Sequence, residues 1–94
     1  MKSQERSAYI LIVDPNFIED LHYWVNTHAK TASKVMELLE AVRREPFTGI
    51  GKPELLKHLG PGIWSRRITQ EHRLVHRVEK GNIYFLQCRY HYLD

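Results

Sequence analysis

Ile83-Tyr84-Phe85-Leu86-Gln87-Cys88-Arg89-Tyr90-His91-Tyr92 lies almost at the end of the chain, and its reading decides the fold. Aromatic side chains and an alternating pattern suit a β-strand. On a regular strand Tyr84, Leu86, Cys88, Tyr90 and Tyr92 share one face, and Ile83, Phe85, Gln87, Arg89 and His91 the other. The first face suits packing. The second begins apolar and ends in a cation and an imidazole, with the Tyr92 phenol next to them, near a terminus where side chains can line a cleft. Working back, Lys80-Gly81 is a tight hairpin turn, because glycine tolerates the positive φ that such turns need. His72–Val78 and Ile63–Thr69 alternate as further strands, Gly60-Pro61-Gly62 is a turn, and Leu55–Leu59 is a short strand.

The first half has a different texture. Residues 1–7 are polar and expected to be flexible, and Ala8–Val13 reads as a first strand. Asp14-Pro15 then starts a helix: the carboxylate can accept from free N–H groups of the first turn, and proline at the first helical position gives up a donor that would be unpaired anyway. Phe17, Leu21, Trp24 and Val25 recur at helical spacing to about Asn26. Val35, Leu38, Leu39 and Val42 repeat the pattern in a second helix, with Thr31 or Ser33 as N-cap, Arg43 and Arg44 at its C-terminal end and Pro46 as its stop. Pro46 to Glu54 is a loop rich in proline and glycine. The expected fold class is α+β, with an N-terminal strand and helical hairpin packed on a mostly antiparallel sheet of four to five strands.

Ninety-four residues suit one domain with one core. No apolar run approaches the ~20 residues of a membrane span, and the N-terminus lacks a secretory pattern, so a cytoplasmic protein is expected. One cysteine cannot form an internal disulfide. The net charge of +3 is unevenly spread: residues 1–42 hold four Lys/Arg against six Asp/Glu, net −2, and residues 43–94 hold ten against five, net +5. A basic half favours a partner with phosphates, or is a solvated surface. Six histidines raise a metal reading, but His72 and His76 stand four apart in an expected strand with no Cys or carboxylate at ligand spacing. No metal or cofactor is expected.

Arg43-Arg44-Glu45-Pro46-Phe47, Gly51-Lys52-Pro53-Glu54-Leu55-Leu56-Lys57-His58, Trp64-Ser65-Arg66-Arg67-Ile68-Thr69, Glu71-His72-Arg73-Leu74-Val75 and Cys88-Arg89-Tyr90-His91-Tyr92 together resemble the Txe/YoeB family of bacterial toxins, in the RelE/ParE superfamily. The likeness is nearly gapless from about Tyr9 to Tyr92. About eight residues precede the usual family start, and Leu93-Asp94 follow the tyrosine at which the family typically ends. The resemblance implies a microbial ribonuclease fold, an mRNA endonuclease acting in the ribosomal A site, and neutralisation by a YefM-like antitoxin. It also implies contact with operator DNA only through the antitoxin complex; a homodimer is a further possibility, and no membrane partner is expected.

RNA cleavage without a metal needs a base for the 2′-hydroxyl, cations for the charged phosphorane and an acid for the departing 5′-oxygen. Glu54, presented after Pro53 in a glycine-flanked loop, reads on its own as a surface carboxylate first and a base second; the resemblance reverses that order. Arg73 matches the family's catalytic arginine, and its planar fixed charge suits a transition-state phosphate. His91 matches the family's acid, and an ordinary pKa near 6.5 lets it hold or release a proton at neutral pH. Tyr92 is a candidate to stack on the base beside the cut or to assist the proton transfer. Lys52, Lys57, Arg66 and Arg67 are candidate phosphate contacts. Arg66 and Arg67 point to opposite strand faces, and Arg67 is the one favoured for the cleft. Glu71 is a candidate to orient an arginine. Trp24, Trp64 and Cys88 read as core. The resulting expectation is a ribosome-dependent mRNA interferase. The alternatives are a non-catalytic toxin that binds a protein target, such as a ParE-like gyrase inhibitor, and an inactive toxin that acts only as an antitoxin-bound co-repressor.

Overall fold

Asp14 turns the chain from strand to helix: its carboxylate accepts from the Asn16 N–H at 2.8 Å, and Pro15 occupies the first helical position. The computed structural model describes residues 9–90. Along it run β1 (Ile10–Val13), α1 (Pro15–Thr27), α2 (Ala29–Arg44), β2 (Glu54–Leu55), a 3-10 turn (Lys57–Leu59), β3 (Ile63–Arg67), β4 (Arg73–Glu79) and β5 (Asn82–Gln87). The strands form one five-stranded sheet in the order β1-β5-β4-β3-β2, with β1 parallel to β5 and every other pair antiparallel. This is the expected α+β fold.

α2 begins at Ala29, before either expected cap. His28 alone separates the helices, and its carbonyl accepts from the N–H groups of Thr31 and Ala32 at 3.0 and 3.1 Å, so no side-chain cap at Thr31 or Ser33 is needed. Phe17 and Trp24 of α1 and Val35, Leu38 and Val42 of α2 pack on Leu74, Ile83 and Phe85 of the sheet. Val25, expected in the apolar stripe, is instead exposed. Trp64 is half-buried against Phe47, the ring centroids lying 5.3 Å apart.

β5 corrects the reading of the last strand in two ways. Its buried face is Ile83 and Phe85, not Tyr84 and Leu86; Tyr84 lies under the Arg77 guanidinium on the opposite face. Phe85 pairs with His76 but Gln87 with Val75, so β5 carries one extra residue at this step. A bulge of this kind changes the parity of everything beyond it. Cys88 therefore enters the core beside Phe17 and Phe85, where a regular strand would have turned it away. The expected strand at Leu55–Leu59 is shorter as well. Leu56 is buried, its N–H bonds the Ile63 carbonyl at 2.8 Å, and the chain then tightens into the 3-10 turn.

Candidate active site on the open sheet face

Residues paired across a sheet project to the same side. Glu54 of β2 pairs with Ser65 of β3, Ser65 with Val75 of β4, and Val75 with Gln87 of β5. Two residues along, Arg67 pairs with Arg73. This face is the one turned away from the helices, because Leu74, Ile83 and Phe85 take the other side into the helical core. Glu54, Arg67 and Arg73 thus rise from three adjacent strands around a floor made by Ser65 and Val75, both buried. Strand spacing and rise put the Glu54 and Arg73 backbones roughly 12 Å apart, a gap that an extended glutamate and arginine can close on a group between them. Two cations directly opposite one another repel. Among the described residues neither has a carboxylate at ion-pair distance. Arg73 directs Nη1 at the carbonyls of Thr69, Gln70 and His72, at 3.2 to 3.5 Å.

The loop that delivers Glu54 is built around Arg66. Expected as a candidate phosphate contact, Arg66 is fully buried and is not available to RNA. Its guanidinium donates to the carbonyls of Glu45, Thr48 and Ile50 at 2.6, 2.8 and 3.1 Å, so it supplies the donors that these loop carbonyls lack. Gly49 makes the approach possible: with φ at +121°, any Cβ there would meet Arg66 Nη1 at 3.1 Å. Burial lowers the Arg66 pKa. The same pocket holds His76, whose two ring nitrogens make no hydrogen bond of normal geometry, although the Pro46 backbone is near enough to favour the cation weakly. Burial first, and the Arg66 charge second, lower its pKa to about 4.

Beyond β5 the chain is held by its own backbone groups. The Cys88 carbonyl accepts from the Trp24 indole at 2.8 Å, and its N–H donates to the Asp20 carboxylate at 3.1 Å. Burial raises the pKa of Asp20, with the Cys88 bond opposing the shift, and pushes the Cys88 thiol up to about 12. Arg89 lies 3.5 Å over the Tyr23 ring and donates to the Tyr90 hydroxyl. Tyr90 has φ at +65°; its N–H donates to His72 Nδ1 at 2.6 Å, and its carbonyl accepts from the Arg73 N–H at 3.2 Å. The end of the described chain is therefore joined to the backbone of Arg73. His91, Tyr92, the expected flexible residues 1–7 and the tail Leu93-Asp94 lie outside the described residues.

Of the other expected residues, Lys52 is exposed in the loop before β2. Lys57 is exposed in the 3-10 turn, toward the start of β3 and so away from Arg67. Among the described residues Glu71 pairs with no arginine; it is largely exposed, with its carboxylate 3.8 Å from His72 Nε2. Among the described residues no group of three or more His, Cys, Asp and Glu is placed to hold a metal, and no helix is long and apolar enough to cross a membrane. The reading of the sequence missed the clamps: Arg66 on the loop, and Asp20, Trp24 and His72 on residues 88–90. A loop with two glycines has carbonyls to satisfy, and that accounting was the available signal for Arg66. Nothing local signals the others, which act across 18 to 68 residues.

A family model described as the YoeB-like toxin of bacterial type II toxin-antitoxin systems matches residues 13–92. Over 74 residues the chain is 50% identical to Toxin YoeB of Escherichia coli strain K12, covering 79% of this chain and 88% of that protein. Its fold matches the YoeB dimer from Staphylococcus aureus with a TM-score of 0.80 at 39% identity, covering 92% of this chain and 100% of that one. It also matches the heterotetrameric YoeB-YefM toxin-antitoxin complex from Staphylococcus aureus, with a TM-score of 0.75 at 40% identity and coverage of 89% and 98%.

Proposed function

Because this chain belongs to the YoeB-like toxins of bacterial type II toxin-antitoxin systems, we propose that it is a ribosome-dependent endoribonuclease that cuts mRNA in the ribosomal A site and so stops translation. The observation that carries this reading is the open face, where strand pairing sets Glu54, Arg67 and Arg73 on one side of the sheet and, among the described residues, neither guanidinium has a carboxylate partner. A phosphodiester set there meets fixed charge where negative charge grows in the transition state. Glu54 takes the proton of the 2′-hydroxyl, which attacks the adjacent phosphorus. Arg73 stabilises the phosphorane, and Arg67 beside it contributes affinity as a phosphate contact. The 5′-oxygen leaves with a proton from His91, assigned by resemblance, and Tyr92 holds the neighbouring base. The products are a 2′,3′-cyclic phosphate and a 5′-hydroxyl, with no metal or cofactor in the chemistry.

A YefM-like antitoxin as partner is supported by the Staphylococcus aureus complex, and a homodimer by the dimer from the same bacterium. A basic second half suits rRNA and mRNA. Operator DNA is reached through the antitoxin complex, and the compartment is the cytoplasm. The test is an mRNA with a single 2′-deoxy nucleotide just upstream of the cut, programmed into ribosomes with the purified protein. It keeps every phosphate and lacks the nucleophile, so it should stay whole while the all-ribose mRNA is cut. Cleavage of both at one rate overturns the mechanism; cleavage of neither leaves a toxin that acts by binding alone.

A further inference from the structure

Where the loop meets the end of β3, a cavity of about 330 Å³ opens at the margin of the sheet. Lys34 of α2, Lys52 of the loop and Arg67 of β3 line it, with Thr69 and Gln70 just beyond. Three basic residues from three separate segments thus line one cavity, and none has a carboxylate partner among the described residues. A cavity lined by one sign of charge attracts an anion.

The backbone is shaped to hold it. The Arg67 N–H donates to the Gly51 carbonyl at 2.7 Å, so loop and strand are joined at that point. A Cβ at position 51, where φ is +86°, would lie 2.8 Å from Leu38 Cδ2 and 3.1 Å from Arg66 Cβ; only glycine lets the loop sit this close. Lys52 is thereby set beside Arg67, with φ at +53°, a conformation that costs a residue with a Cβ about 1 kcal/mol. The Thr69 hydroxyl oxygen already accepts from the N–H groups of Glu71 and His72, at 3.2 and 3.1 Å, which leaves its hydrogen to donate to a ligand.

We propose that this cavity is a seat for a second backbone phosphate of the RNA, separate from the one that is cut and held by Lys34, Lys52 and Arg67 with the Thr69 hydroxyl. The inference rests on the reading of the chain as an RNA-binding toxin. Arg67 links the two places: a strand crossing the open face past Arg73 continues over the margin of the sheet toward Lys34. The seat contributes affinity and register, and takes no part in proton transfer.

A six-nucleotide 2′-O-methyl RNA, which the mechanism above cannot cut, separates the seat from the chemistry. Its affinity for the protein is measured against salt concentration without ribosomes. Lys34→Ala should weaken binding roughly fivefold and reduce the slope of log K against log salt by about 0.7, the share of one single-strand phosphate contact. Lys34→Arg should restore both. Arg44→Ala, which removes the same charge about 15 Å further along α2, should change neither. Addition of inorganic phosphate at constant ionic strength should shift the amide resonances of Gly51, Thr69 and Gln70 in the wild type and not in Lys34→Ala. Equal losses for Lys34→Ala and Arg44→Ala would reduce the effect to net charge and overturn the seat, as would RNA binding that does not need Lys34 or no binding at all. If binding depends on Lys34 but the protein cuts no mRNA on ribosomes, the seat stands and the nuclease reading falls.

Discussion

Acidification should destabilise this protein through His76. The buried imidazole has a pKa near 4 in the fold against 6.5 when solvated. Between those values the unfolded chain binds a proton that the folded chain refuses, so stability is present above pH 6.5 and is lost as pH falls toward 4. Integrating the two titrations from pH 7 to pH 5 gives a loss of about 2 kcal/mol, out of roughly 3 kcal/mol over the whole window. The cause is local: the cation would have to form out of water and beside the Arg66 guanidinium. Asp20 acts in the opposite sense, since burial raises its pKa and so favours the fold in acid. Urea unfolding followed by far-ultraviolet circular dichroism at pH 7 and pH 5 measures the difference. His76→Leu, an apolar side chain set against Phe85, should remove most of the dependence. A wild type equally stable at both pH values, or a His76→Leu protein that keeps the full slope, would refute this account.

Arg66→Met fills the same space but leaves the carbonyls of Glu45, Thr48 and Ile50 without their donor; it should cost about 2–4 kcal/mol and slow cleavage by displacing Glu54, and a variant with unchanged urea midpoint would show the clamp to be dispensable. Cys88, buried with its thiol pushed up to about 12, should react with a disulfide reagent at pH 8 only as fast as the core opens, so labelling at the rate of a free thiol would contradict its placement. Glu54→Gln keeps size and hydrogen bonding but not the basic site, and single-turnover cleavage on ribosomes should fall by roughly 10² or more; a smaller fall means that another group takes the proton.

Much of the architecture was legible because it rests on short-range rules. Asp14-Pro15 starts a helix whatever lies around it, Pro46 stops one, and Lys80-Gly81 makes the tight turn between β4 and β5, both residues holding positive φ. Apolar spacing located both helices, and the order of elements implied the α+β class. The candidate residues of the open face were also named from sequence, Glu54 and Arg73 by their resemblance to a family and Arg67 by strand parity. Parity failed where it met something that no local rule supplies. One extra residue at the β5 bulge sends Cys88 into the core, to the side opposite Tyr84, with which regular alternation would have grouped it. The neighbours Arg66 and Arg67 look alike in sequence, yet one is sealed under the loop and the other is open to solvent.

What the sequence by itself determined is therefore the inventory: which segments are helix and strand, which side chains can carry a proton or a charge, and which family they resemble. Tertiary structure alone decided which of those charges face an empty space. Whether a guanidinium serves a substrate or the fold depends on the carbonyls brought to it from 16 to 21 residues away, and whether Lys34 joins Lys52 and Arg67 depends on a helix packing beside a loop that only Gly51 lets in. Periodicity within one segment carries no information about the distance between two of them, and the site is made of such distances.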